Sequence, residues 1–233
     1  MAQEWRRVGE VGACAGARAA VALDDRVYAA SEDGLLWRVT PDGASIERIG
    51  DGARSRLLAA ARGELYAFEE SGPLYAVDPG SGALQRLDGD WSAIRAVAGC
   101  DDALFASGGA LYAVDPSGEG RQIGTEEWNP RILLAGSESL FSLEESGALY
   151  RIDIGDGTWE QLDGDWGDVT AGVVLNGVLY LSSIAGWLYA VTRSGEVLPI
   201  PCGAPPATRF LLPSPRALYA LEQDGSVHAL PFA

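Results

Sequence analysis

The sequence predicts an all-β chain built from one repeating unit, and three observations carry that prediction. A stretch of the type "ELYAFEESGPLYAVDPGSG" (64–82) recurs six times. The first aromatic of each copy falls at Tyr28, Tyr66, Phe105, Phe141, Tyr180 and Tyr219, a period of about 38 residues. Each unit divides into four short β-type segments, and none has a convincing helical period. The last unit stops one segment short, and "QEWRRVGE" near the start looks like the missing segment. Four antiparallel strands repeated at this length read as the blades of a six-bladed β-propeller. Residues 3–9 would complete blade six together with 208–233, which removes an exposed sheet edge. The whole of 1–233 is read as a single propeller domain.

The second unit shows the elements in order. "RLLAAARG" is strand A, "ELYAFEE" strand B, "PLYAVD" strand C and "ALQRLDG" strand D. Gly, Pro, Asp and Ser mark the links, as hairpins require. In an up-and-down blade the A-to-B and C-to-D links lie on one face. The B-to-C turns and D-to-A links lie on the other, here called the top.

The pattern "LYAVDPGSG" resembles the blades of the pyrroloquinoline-quinone-like propeller family, which includes quinoprotein dehydrogenases and non-catalytic scaffolds. In that family a docking tryptophan stands four residues after the motif glycine. Here Gly82 is followed by Ala83, Leu84, Gln85 and Arg86. The resemblance therefore implies a scaffold-type member without the quinone cofactor. The "LDGDW" loops also resemble those of tachylectin-type sugar-binding propellers.

Composition excludes several functions. A net charge of −16 argues against nucleic-acid binding, which needs cations to displace phosphate counterions. It argues equally against anionic membrane surfaces, and no apolar run is long enough to span a bilayer. The start of the chain has no signal-type apolar region, so a cytoplasmic protein is expected. Every one of the 17 basic residues is arginine, which leaves no Schiff-base or P-loop lysine. Cys14, Cys100 and Cys202 have no ligand spacing and are expected as reduced thiols. One histidine, His228, rules out a multi-histidine metal site. No metal and no cofactor are expected.

Three sets of residues stand out as candidates. The first is a column nine residues before the first apolar residue of each B strand: Arg18, Arg56, Arg95, Arg131, Thr170 and Arg209. Hairpin register sets Arg56, Arg131 and Arg209 opposite Glu69, Glu144 and Glu222, which reads as structural pairing. Arg18 and Arg95 face Ser31 and Gly108 and are the better ligand candidates, for an anion such as a carboxylate or phosphate.

The second set is Trp91, Trp128 and Trp166, in three consecutive D-to-A links, with Trp187 on the B-to-C turn of blade five. Two readings are open for the loop tryptophans: wedges between blades, or an exposed aromatic platform flanked by Asp90 and Asp165. Blade three also has a B-to-C turn two residues shorter than the others. The third set is the acids of the B-to-C turns: Glu32, Asp33, Glu69, Glu70, Glu144, Glu145, Glu222 and Asp224. They read as solvated turn residues.

No nucleophile, base and orienting group can be assembled, so no catalytic residue is assigned. His228 falls in a C-strand column with Trp37, Tyr75, Tyr112, Tyr150 and Tyr189 and reads as a packed ring. Asp78, Asp115 and Asp153 read as turn residues. The expected function is a non-catalytic module that binds another protein through its top face. The alternatives are a lectin using the same aromatics and, by analogy with six-bladed enzymes, a metal-dependent lactonase-like hydrolase.

Overall fold

A strand whose successive residues are apolar on both faces must be covered on both faces. "VYAA", "LYAF" and "LFAS" are such strands, and in the computed structural model each repeat covers its neighbour. Residues 4–40, 46–51, 54–100, 102–205 and 207–232 are described.

β1 (Arg6–Val8) comes first in the chain but belongs to blade six. Blade one is β2 (Ala17–Leu23), β3 (Arg26–Ser31), β4 (Leu35–Val39) and β5 (Ile46–Asp51). Blade two is β6 (Ser55–Ala61), β7 (Glu64–Glu69), β8 (Leu74–Val77) and β9 (Leu84–Arg86). Blade three is β10 (Ala96–Gly99), β11 (Leu104–Val114) and β12 (Gly120–Trp128). Blade four is β13 (Pro130–Ala135), β14 (Ser139–Glu144), β15 (Leu149–Asp153) and β16 (Trp159–Leu162). Blade five is β17 (Val169–Leu175), β18 (Val178–Ser183), β19 (Leu188–Val191) and β20 (Val197–Ile200). Blade six is β21 (Thr208–Pro213), β22 (Ala217–Glu222), β23 (Val227–Pro231) and β1.

All pairings are antiparallel, and the six sheets make a six-bladed β-propeller. In blade three, strands B and C form one continuous run. Residues 104–107 of β11 pair with β10 and its later residues with β12. The short B-to-C turn read from the sequence is the reason, with Gly109 at φ +91° marking the reversal. The N-terminal strand closes blade six, with Arg6 opposite Ala229 and Val8 opposite Val227.

The core lies between blades rather than inside them. Six apolar clusters each draw on two adjacent blades. Tyr66, Phe68 and Leu74 of blade two meet Leu104, Ala106 and Val114 of blade three. Leu65 and Ala67, facing the other way, meet Tyr28 and Ala30 of blade one. Val8, Val27 and Val39 meet Tyr219 and Leu221 across the closure. The inner strands touch in a ring, β2 to β6 to β10 to β13 to β17 to β21 and back to β2.

The A-to-B hairpins of blades two and five turn on two residues, with Arg62 and Gly63 at φ +55° and +74° and Asn176 and Gly177 at +52° and +74°. Both central residues are left-handed, the twist that suits a tight hairpin. The three cysteines are free. Burial pushes the Cys14 thiol up to about 11, which keeps it protonated and unreactive at neutral pH.

Val8 is the buried member of the closing strand, and Arg7 beside it is exposed. Val8→Asp should therefore cost about 2–4 kcal/mol in urea unfolding, since it buries a carboxylate among aliphatic groups. Arg7→Ala should stay within about 0.5 kcal/mol of wild type. Equal effects from the two would show that closure does not depend on the buried face of β1.

Candidate functional site

The repeated "LDGDW" is explained by how its tryptophan folds back. Trp91, Trp128 and Trp166 are 5%, 6% and 4% exposed. Trp91 sits edge-to-face between Phe68 of blade two and Tyr112 of blade three, with centroids 6.0 and 5.9 Å away. Its Nε1 donates to the Gly118 carbonyl at 3.2 Å. Trp166 packs among Leu143 and Leu149 of blade four and Val169 and Leu179 of blade five. Trp128 packs edge-to-face on Tyr150 of blade four at 5.5 Å. The glycine of the motif makes room for the indole. A Cβ on Gly89 would lie 2.6 Å from Trp91 Nε1, and one on Gly164 would lie 2.7 Å from Trp166 Cε2. Both glycines also have positive φ, +90° and +133°.

The exposed-platform reading of these three tryptophans is thereby corrected. Large aromatic rings beside an uncovered blade face lower the free energy most by filling it, and a sugar ring or a partner cannot stack on a buried indole. Asp90 and Asp165 are turn residues. Asp90 accepts from the Ser92 N–H at 3.0 Å, and Asp165 from the Gly167 N–H at 3.1 Å.

The arginine column is placed by a β-bulge. In blade two Ser55 stands opposite Glu69 and Leu57 opposite Phe68, so Arg56 is the extra residue between them. The same shift brackets Arg18, Arg131, Thr170 and Arg209. The expected facing of Arg56, Arg131 and Arg209 with glutamates is corrected accordingly, because a bulge re-aims its side chain. Glu69 instead accepts from the Arg54 N–H at 3.2 Å, Glu144 from the Asn129 N–H at 2.7 Å, and Glu222 lies 3.3 Å from His228 Nε2.

The arginines reach forward to carbonyls of the next blade. Arg56 donates to the Trp91 carbonyl at 3.5 Å and Arg209 to that of Ala17 at 2.9 Å. Arg131 donates to Trp166 at 2.7 Å and also to Val169. Arg18 lies 3.6 Å from Glu32 and 3.9 Å from Glu70 of the next blade, both exposed. Arg95 is exposed and has no side-chain partner among the described residues.

All five arginines and Thr170 line one end of a central channel of about 410 Å³, whose other walls are the inner strands. Arg56 and Arg95 also line a second, open hollow of about 860 Å³ above blade three. Gly108, Gly109, Ser92, Glu127 and Glu144 line its other sides. The hollow lies over the short turn that the sequence revealed. A Cβ on Gly108 would strike the Ala93 carbonyl, so the turn rests directly on the link that leads into blade three.

Trp187 is 55% exposed, as its turn position suggested, and Ile184 beside it is 73% exposed. Sequence reasoning missed Ile184, although "SSIAGW" is the only B-to-C turn with an aliphatic residue at that place. It also missed Trp159, which is 48% exposed and packs edge-to-face on Trp128 at 6.2 Å. The signal for Trp159 was its position on a polar outer strand. His228 sits opposite Ala220 in the half-buried C-strand column, where Tyr75 sits opposite Ala67. Asp78, Asp115 and Asp153 accept backbone N–H groups inside their turns. Among the described residues no group of three or more His, Cys, Asp or Glu could hold a metal ion.

No family model matches the chain, and no curated protein matches it significantly. Solved structures do. A structural-genomics protein of unknown function from Bacteroides thetaiotaomicron has a TM-score of 0.76 at 13% identity, over 99% of this chain and 76% of that one. The WD40 repeats of RRP9 give 0.71 at 11% identity, over 100% and 99%. BamB from Moraxella catarrhalis gives 0.58 at 14% identity, over 97% and 85%. At these identities the likeness shows the propeller fold alone. It does not single out the pyrroloquinoline-quinone-like family.

Because Trp91 is a wedge, Trp91→Ala should cost about 3–5 kcal/mol of stability. Gly89→Ala should also destabilise measurably, through the ring clash and the positive φ. Thermal unfolding of both variants checks this, and an unchanged melting temperature for Trp91→Ala would contradict the wedge. A second test concerns Asp115, whose carboxyl the Ser117 hydroxyl and nearby backbone N–H groups hold below the usual carboxylate range. A carboxyl held low in the folded state adds stability above its ordinary pKa and loses it as pH falls through the lowered value. Ser117→Ala should raise the Asp115 pKa toward the ordinary value in an NMR titration. No movement would mean that the hydroxyl is not the cause.

Proposed function

We propose that this chain is a non-catalytic binding module whose top face engages another protein. The observation that carries the reading is the turn of blade five. Ile184 and Trp187 stand out together on a turn held at both ends. The Ser183 N–H donates to the Trp187 carbonyl at 2.9 Å, and the Ile184 N–H to the Asp168 carbonyl at 2.9 Å. The Ala204 N–H of the next link donates to Gly186 at 2.9 Å.

An exposed tryptophan and isoleucine cost little entropy to dock when their backbone is already fixed. Aromatic anchors of this kind carry a large share of binding energy at protein interfaces. Inner strands that end in arginine, rather than in a ring of acids, support this reading over a metal-dependent hydrolase.

Ile184→Ser combined with Trp187→Ala should leave the circular dichroism spectrum and melting temperature unchanged. It should abolish affinity capture of a protein that the wild type retains from native lysate. Equal capture by both proteins would move the contact away from this turn.

A further inference from the structure

We infer that the mouth of the central channel is an oxyanion site, built for a carboxylate or phosphate group held between Arg56 and Arg95. The chain carries 33 acidic residues against 17 arginines. Yet the channel lining holds five arginines and, among the described residues, no acid. The remaining lining is aliphatic or small apart from Thr170 and Phe210. Cations gathered at the end of a low-dielectric channel repel each other and focus a positive potential there. An oxyanion relieves that repulsion, and guanidinium groups match it with paired donors.

The five arginines are not equivalent. Arg131 and Arg209 spend donors on carbonyls of the following blade, Arg56 makes one long bond of that kind at 3.5 Å, and Arg18 lies near Glu32 and Glu70. Arg95 spends none on a side-chain bond among the described residues. The Nε of Arg56 is buried and has no acceptor. A buried donor without an acceptor is costly, so the fold leaves the Arg56 guanidinium only partly satisfied.

These two arginines line both the channel and the open hollow of blade three. The hollow is the low side of the top face and gives a ligand its way in. Glu127 and Glu144 also line the hollow, and Glu144 is already engaged by the Asn129 N–H. They keep the anion to the Arg56–Arg95 side. Two sources carry such a group, a free oxyanion and the acidic side chains of a protein segment, and the experiment separates the two.

Titration calorimetry with inorganic phosphate and with a seven-residue glutamate peptide, at constant ionic strength in chloride, tests the site. Wild type should bind at least one of them saturably. Arg95→Gln should weaken that binding at least tenfold, and Arg56→Gln should do so too. Ile184→Ser with Trp187→Ala should bind as wild type does, so this proposal and the protein-contact reading fail separately. Binding of phosphate alone assigns a free oxyanion, and binding of the peptide alone assigns an acidic protein segment. If Arg95→Gln does not fold, Arg95→Lys keeps the charge without the fork and should still lose most of the affinity. Failure of wild type to bind either probe, or unchanged binding by the folded Arg95 variant, overturns the site.

Discussion

Each blade has two apolar faces, and neither can be covered from within the blade. Alternate residues of a strand point to opposite sides, so Leu65 faces blade one while Tyr66 faces blade three. Burial is complete only when every blade has a neighbour on both sides, which requires a ring. Closure is therefore a condition of the core, and β1 supplies it through Val8 at the junction of blades six and one. The tryptophans of the D-to-A links serve the same need. Trp91, Trp128 and Trp166 each fill a gap between two adjacent blades.

Arginine is the second device that couples blades. Arg38 donates to the Pro79 carbonyl at 3.0 Å, Arg62 to that of Val114 at 2.6 Å and Arg151 to that of Arg193 at 2.7 Å. Arg56, Arg131 and Arg209 make corresponding bonds from the inner strands. A planar fork can satisfy carbonyls of the next blade and still keep donors free. A lysine ammonium lacks that fixed geometry, which gives a physical reason for a chain whose cations are all arginine. The bulge that carries the inner column turns these side chains toward the channel mouth, so structural staples and a cationic ring share the same positions.

The architecture was legible because it is written six times. Six copies of one hydrophobic pattern identify the blades, and "QEWRRVGE" identifies the strand that closes them. The short turn of blade three was legible as a difference of two residues between repeats. The hairpin turn at Arg62–Gly63 was read correctly, yet Arg56 does not face Glu69. The bulge adds one residue between the turn and the column, and no residue type marks it, since bulged positions hold arginine in four blades and threonine in blade five. The tryptophans were ambiguous because a loop aromatic can fill a gap or face solvent with the same neighbours in sequence. Gly89 and Gly164 make room for two of the indoles to fold back, but Trp128 is buried with Glu126 at the same place, so that glycine alone does not decide between the readings.

A repeat protein of this kind separates stability from recognition by where the repeat is broken. Positions that recur in every blade, such as the B-strand core and the C-strand ring column, answer to packing and cannot change without loss of fit. Recognition must therefore use the departures. Blade three departs by shortening a turn, which lowers the rim beside Arg95. Blade five departs by placing Ile184 where blades one, two and four carry glutamate, by placing Trp187 where the other blades carry a smaller residue, and by placing Thr170 where other blades carry arginine. The first departure opens a polar, cationic entrance and the second raises an apolar anchor, on the same face of one rigid ring. A ligand that touched both would be read by charge at one point and by apolar burial at the other. That is a stricter test of identity than either contact alone, since a wrong partner must be accepted twice.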